Sequence, residues 1–235
     1  MPASTHYDAP VYHSKSAFMQ RIADFVRQGY DAHTTGTVSV ARAAALVRKF
    51  RDLYLVHLGK DMRYRRKQQK LGNAALLLYR SLAEPKGALT FVLLVSPGEH
   101  AAHQLECLQK AQKVRLEVTG YELVQQTRPG AAAAAWTWRM TSSTYQGWRD
   151  RIRDQVRARA AKHLKESWHS LHHVPGFAPV RHQVRQLRRL LKEEWKRHSS
   201  EPLQLEMMKL RYVQRLPDVT QPLSAVLKAS AGRLE

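Results

Sequence analysis

Apolar residues recur along this chain with changing period, and the changes mark its parts. Phe18, Ile22, Phe25 and Val26 share one face of a 3.6-residue helix that Ser14 or Ser16 can cap and Gly29 can end. A polar turn, AHTTGT, follows. Leu46, Val47, Phe50, Leu53, Tyr54 and Leu58 predict a second helix, opened by Ser39 and stopped by Gly59. The spacing of this pair resembles a helix-turn-helix, a spacing that many helical hairpins share. Residues 60–70 read as a loop, and Leu76, Leu77, Leu78 and Leu82 predict a third helix over 72–83 that stops before Pro85.

The middle of the chain changes character. LTFVLLV at 89–95 is a short unbroken apolar run, which predicts a buried strand. Ser96-Pro97-Gly98-Glu99 carries the signs of a helix start: a capping Ser, Pro in the first turn, and Glu three residues after the cap. It predicts a helix running to Gln112. Val114, Leu116 and Val118 alternate with polar residues, as do Trp136, Trp138 and Met140. They predict two strands joined as a hairpin through Arg128-Pro129-Gly130. The β-α-β-β order resembles half of a ferredoxin-like or RNA-recognition sheet, an arrangement that serves many functions.

From Ser142 onward the pattern is helical. Trp148, Ile152, Val156, Ala160, Leu164 and Trp168 recur every fourth residue over 143–171. That spacing drifts around a helix and invites a break near Ser167. Pro175-Gly176 interrupts the pattern. Val180, Val184, Leu187 and Leu191 then predict a helix over 179–198. Leu203, Leu205, Met208, Leu210, Val213 and Leu216 predict another between Pro202 and Pro217, with a frayed tail beyond. The expected fold is α+β and predominantly helical, with a small, mainly antiparallel three-stranded sheet flanked by N-terminal and basic C-terminal helices. The expected parts are a helical segment at 1–87, the sheet unit at 88–141 and a basic helical unit at 142–235.

Charge sharpens this picture. The chain carries a formal net charge of +20 over 235 residues, and the distribution is uneven. Residues 60–70 contribute +5 and residues 141–198 contribute +9, leaving +6 for all the rest. Clustered cations repel one another and call for an anionic counter-surface. The phosphate backbone of a nucleic acid is such a surface, because each neutralised phosphate releases condensed counterions.

The candidate contacts fall in three places. Arg149, Arg153 and Arg157 stand at i, i+4 and i+8 of a helix, a row about 12 Å long at 1.5 Å per residue. Arg181, Arg185, Arg188 and Lys192 follow one residue behind the apolar row of the next helix. Guanidiniums so spaced can hold phosphates bidentately or read guanine edges in a major groove. In the basic loop, Arg63, Arg65, Arg66 and Lys67 surround Tyr64, a ring on which a base can stack. The expected function is nucleic-acid binding without catalysis. DNA is expected before RNA, since helices rather than exposed sheet aromatics carry the charge.

Other chemistries are narrower. Arg157 and His163 fit the Arg-x4–6-His spacing of metal-independent HEPN ribonucleases, in which Arg would hold the scissile phosphate and His would transfer a proton. A further alternative is a helical subunit docking on an acidic partner. The C-terminal helices also offer a face to a protein partner or to a second copy of the chain. Basic runs elsewhere serve solubility or anionic membrane surfaces, though cations alone serve solubility poorly.

His100, His103 and Cys107 share a helical face, but no fourth ligand, CxxC or HExxH accompanies them. His169, His172 and His173 sit where a helix end favours cations. No metal or cofactor is expected, and no GxxxxGK[ST] loop is present. No run of 18 apolar residues exists to cross a membrane, and the N-terminus lacks the apolar core of a signal peptide. One cysteine, Cys107, fits a reducing cytoplasm, and the Arg- and Ala-rich composition fits a GC-rich bacterial gene.

Overall fold

A computed structural model of the chain describes residues 7–81, 88–127, 130, 132–205 and 209–231. They form two compact units, one of residues 1–116 with 215–235 and one of residues 117–214. The first unit opens with β1 (Pro10–Tyr12), α1 (Lys15–Arg27), β2 (Ala32–Ser39), α2 (Val40–Tyr54) and α3 (Lys60–Gln68). It continues with β3 (Ala74–Tyr79), β4 (Ala88–Val95), α4 (Ala102–Leu105) and β5 (Gln109–Lys110). The second unit holds β6 (Glu117–Val118), β7 (Tyr121–Thr127), β8 (Ala134–Met140), α5 (Ser142–Arg157), α6 (Ala161–Leu171) and α7 (Ala178–His198). The chain then returns to the first unit with β9 (Thr220–Pro222) and α8 (Leu223–Ala231).

The expectation of a single small three-stranded sheet is wrong. Unit one holds a six-stranded mixed sheet in the order β5-β2-β4-β3-β1-β9, and unit two a separate antiparallel sheet, β6-β7-β8. The α+β fold therefore has a much larger sheet component than periodicity implied. Several strands were hidden, and two of them flank β4 in the large sheet. AALLLY, expected as a helix, is β3, with all six residues buried. Leu76 and Leu78 face the cluster of Val47, Phe50, Tyr54, Leu89, Leu93, Leu223 and Val226. Tyr79, on the opposite face, stacks on Phe18 of α1 with centroids 5.3 Å apart. A strand covered on both faces keeps its pleat but loses its polar alternation.

The second hidden strand is β2, expected as a polar turn. It pairs with β4 over its whole length, from Ala32 opposite Val95 to Ser39 opposite Ala88. Because β2 separates α1 from α2, the pair is not a helix-turn-helix. Gly36 lies under Phe91, whose ring a Cβ would approach to 2.7 Å. The expected helix 96–112 shrinks to the four residues of α4, because the Ser96 hydroxyl accepts from the Asn73 N–H instead of capping a helix.

Residues 10–12, which precede the first expected helix, form β1, parallel to β3 and antiparallel to β9. The frayed tail is instead β9 and α8, whose Leu223 and Val226 are buried.

In unit two, Thr119 (φ 48°) and Gly120 (φ 82°) make the tight turn between β6 and β7, as a two-residue hairpin requires. Trp138 is fully buried, and Arg139 pairs with buried Glu122 directly opposite it at 2.5 Å. The break in the long C-terminal helix falls at 158–160, where Arg159 is left-handed (φ 50°), and not near Ser167. That break resets the drifting stripe, so that Leu164, Trp168 and Leu171 of α6 are all buried.

The described residues between 202 and 217 hold no helix. Residues 210–213 run back along the start of α7, where the Leu210 carbonyl accepts from Arg181 and the Val213 N–H donates to the Gly176 carbonyl. A Cβ at Gly176 would meet the Arg211 carbonyl oxygen at 1.9 Å, so only glycine fits. Leu82, Pro85, Arg128, Pro129 and Met208 lie outside the described residues. Among those residues no helix is long and apolar enough to cross a membrane.

Candidate nucleic-acid interface

The basic segment of unit one is a helix, not a loop. Gly59 precedes α3, Asp61 sits in its first turn and Arg65, Arg66 and Lys67 in its last, which is the charge order the helix dipole favours. α3 buries no residue, so its arginines attach it. One Nη of Arg63 donates to the Val56 carbonyl at 3.0 Å, and its guanidinium lies 5.7 Å above the Phe25 ring. The guanidinium of Arg66 donates twice to the Gly72 carbonyl, at 2.9 and 3.2 Å. Arg65, Lys67 and Tyr64 stay exposed.

The three cations expected on α5 part company. Arg149 is half-buried beside Tyr145, its Nε enclosed without a hydrogen-bond partner. Arg153 reaches Asp150 and the buried Glu194 of α7, each at 3.6 Å. Glu194 also meets Arg197 at 3.3 Å and His198 at 3.9 Å. Arg153 thus ties α5 to α7. Arg157, at the end of α5, is exposed.

On α7 the apolar stripe Val180, Val184, Leu187 and Leu191 is buried, and the cationic row lies along its margin. Arg181 is engaged: its Nε donates to the Leu210 carbonyl at 2.9 Å, and its guanidinium stacks 3.7 Å from the Tyr212 ring centre. Arg185, Arg188 and Lys192 have no carboxylate partner among the described residues. Arg185 and Lys192 are exposed and Arg188 half-exposed.

Arg181, Arg185 and Arg188 meet Lys209 around a cavity of about 290 Å³ walled by Trp168, Val184 and Leu210. No acid lines it. Neither Lys209 nor Trp168 was singled out from sequence as part of this site, because the returning segment that brings Lys209 here read as a helix. Four cations around an apolar wall make a strongly attractive field for an anion.

No family model, curated protein or solved structure matches this chain. The chemistry must therefore be read from the residues.

The two residues of the nuclease reading stand on different helices. Arg157 ends α5 and His163 belongs to α6, with the left-handed Arg159 between them. Both are exposed, and no hydrogen bond or ion pair among the described residues orients either.

His100, His103, His172 and His173 are each bound to backbone. His100 Nε2 donates to the Tyr54 carbonyl at 3.2 Å while its Nδ1 accepts from the Ala102 N–H, and burial lowers its pKa below the usual value. His103 contacts the Ser96 carbonyl, and Cys107 lies beyond the end of α4, so the three do not share one helix. His172 and His173 each donate from Nδ1 to a carbonyl four residues back. Among the described residues, no three His, Cys, Asp or Glu side chains group to hold a metal ion.

Proposed function

We propose that this protein binds nucleic acid through the phosphate backbone without catalysing a reaction on it. DNA is the preferred partner and the free margin of α7 the main contact. The reading rests on Arg185, Arg188 and Lys192. They stand at i, i+3 and i+7, within about 11 Å along the helix at 1.5 Å per residue. Glu194, the acid nearest them on the buried side of α7, is already taken by Arg153, Arg197 and His198. Charge left unpaired beside the Arg181–Lys209 cavity is placed to meet consecutive phosphates. The single exposed cysteine supports a reducing compartment such as the cytoplasm.

The test is the triple variant Arg185→Gln, Arg188→Gln, Lys192→Gln. Gln has the helix propensity of the residues it replaces, so α7 keeps its fold. Duplex affinity should fall at least tenfold, and the slope of log K against log[salt] should flatten by about 2.7, at roughly 0.9 per lost phosphate contact. Unchanged affinity and slope would overturn the reading and leave an acidic protein as the counter-surface. Labelled DNA and RNA should emerge intact from incubation with or without EDTA. Cleavage that disappears in His163→Ala would make the protein a nuclease instead.

A further inference from the structure

Unit one contains a second cationic concavity, and its composition differs from that of α7. A groove of about 830 Å³ lies between the end of α1, the outer side of α3 and the turn at Ser96-Pro97. Arg27, Lys60, Arg63 and Lys67 line it, together with the rings of Phe25, Tyr30 and Tyr64. No carboxylate is among the lining residues. Arg27 is partly neutralised by Asp24 at 3.0 Å, whereas Lys60 and Lys67 have no carboxylate partner among the described residues.

The back of the groove is rigid. The Asn73 N–H donates to Ser96 Oγ and the Ser96 N–H to the Asn73 carbonyl, both at 2.9 Å. Behind this clasp the Gly72 N–H donates to the Glu99 carbonyl. Gly98 (φ +112°) passes so close that a Cβ would come within 2.5 Å of the Lys70 carbonyl oxygen. Phe25 is fixed between Tyr30, edge-on at 5.0 Å, and the Arg63 guanidinium.

Tyr64 differs. Its ring is 62% exposed at the rim, a large aromatic surface facing water. Two polar atoms of the wall also lack hydrogen-bond partners although buried: Asn73 Oδ1, an acceptor, and Arg63 Nε, a donor. Asn73 is itself only 6% exposed. Unmet buried polar atoms are costly and are commonly satisfied by a ligand or an ordered water.

An exposed ring, unpaired cations and an unmet donor and acceptor together match a nucleotide. The ring suits a base, the ammonium groups suit a phosphate, and a base edge offers both hydrogen-bonding senses. The volume is within the usual range for a small-ligand pocket. We propose that this groove holds one nucleotide of a single strand, with its base stacked on Tyr64 and its phosphate against Lys60 and Lys67. The ligand class rests on the nucleic-acid reading above, but every residue involved is different from those on α7.

The test compares Tyr64→Ala, Tyr64→Phe and the wild-type protein against three probes: a roughly ten-nucleotide oligo-dT, within the usual range of single-strand site sizes, a DNA duplex and dTMP. Tyr64→Ala should weaken oligo-dT binding about fivefold or more, the loss expected for one stacked base. Tyr64→Phe, which keeps the ring, should bind as wild type, and duplex affinity should be the same for all three proteins. Tyr64 is exposed, and matching thermal midpoints will establish that the variants fold alike. No change in oligo-dT binding for Tyr64→Ala would overturn the proposal, as would an equal loss on duplex. Equal wild-type affinity for dTMP would overturn the strand and leave a free-nucleotide site. If α7 fails as the duplex contact, the triple variant binds duplex normally while the Tyr64→Ala loss on oligo-dT persists, so the two proposals fail separately.

Discussion

α3 and α7 are both basic helices, yet they use their charge in opposite ways. α3 is nine residues long, five of them cations, and none is buried. With no apolar stripe to hold it, it is fastened by Arg63 to the Val56 carbonyl and by Arg66 to that of Gly72. α7 is 21 residues long and anchored by Val180, Val184, Leu187 and Leu191. Apolar burial does the fastening there, so the row beside it is released for other partners. Cation density along a sequence therefore overstates what is available to a ligand. A helix without an apolar face has to use part of its charge on attachment.

Removing an anchor from α7 should have the largest effect on this contrast. Leu187→Ala opens a cavity under a fully buried side chain and should cost roughly 2–5 kcal/mol, read as a lowered urea or thermal midpoint. No side chain of α3 is buried enough for its truncation to match that. An unchanged midpoint in Leu187→Ala would remove the basis for treating α7 as the anchored helix.

A pH titration separates the unit that holds α3 from the one that holds α7. His33 and His100, both in unit one, are held below their ordinary pKa of 6.5, chiefly by burial. Below pH 6.5 the unfolded chain takes up protons that the folded chain refuses. Their contribution is thus whole above that value and is lost as pH falls, by up to about 1.4 kcal/mol per pH unit for each group. Urea unfolding at pH 7.5 and 5.5 should show the loss, and His100→Gln should reduce it. A gain of stability on acidification would contradict the assignment.

The smallest effects lie within α3 itself. Arg63→Gln leaves the Val56 carbonyl without its donor and should cost about 1–3 kcal/mol. Arg65→Gln, on the exposed side, should stay within about 0.5 kcal/mol. Equal effects from the two would mean that α3 is not pinned by Arg63.

These helices also show what the sequence could and could not convey. α7 was expected at 179–198 and spans Ala178–His198, because its apolar residues lie on one face only. The expected strand at 89–95 is β4, a short apolar run between polar residues. β3 was illegible: Ala and Leu are strong helix formers, and a strand buried on both faces shows no alternation. β2 failed for the reverse reason, since threonines read as a turn when their pairing partner lies more than fifty residues away. Within the candidate site, the row Arg185, Arg188 and Lys192 was legible as a shadow of the apolar stripe. Its neighbours Trp168 and Lys209 were not, because they converge from separate stretches of chain.

The return of the chain through β9 has a consequence for assembly in time. β9 forms the outer edge of the large sheet by pairing with β1, yet about a hundred residues of unit two lie between Leu116 and the segment that carries it. At ribosomal rates of ~5–20 residues per second, β1 emerges with its outer edge unpaired and waits roughly 10–40 s for its neighbour, about 210 residues further on. An open strand edge is a template for joining other chains. Nascent unit one is therefore most vulnerable to aggregation while unit two is being made, and α8, which follows β9 directly, is the last element to close over the core.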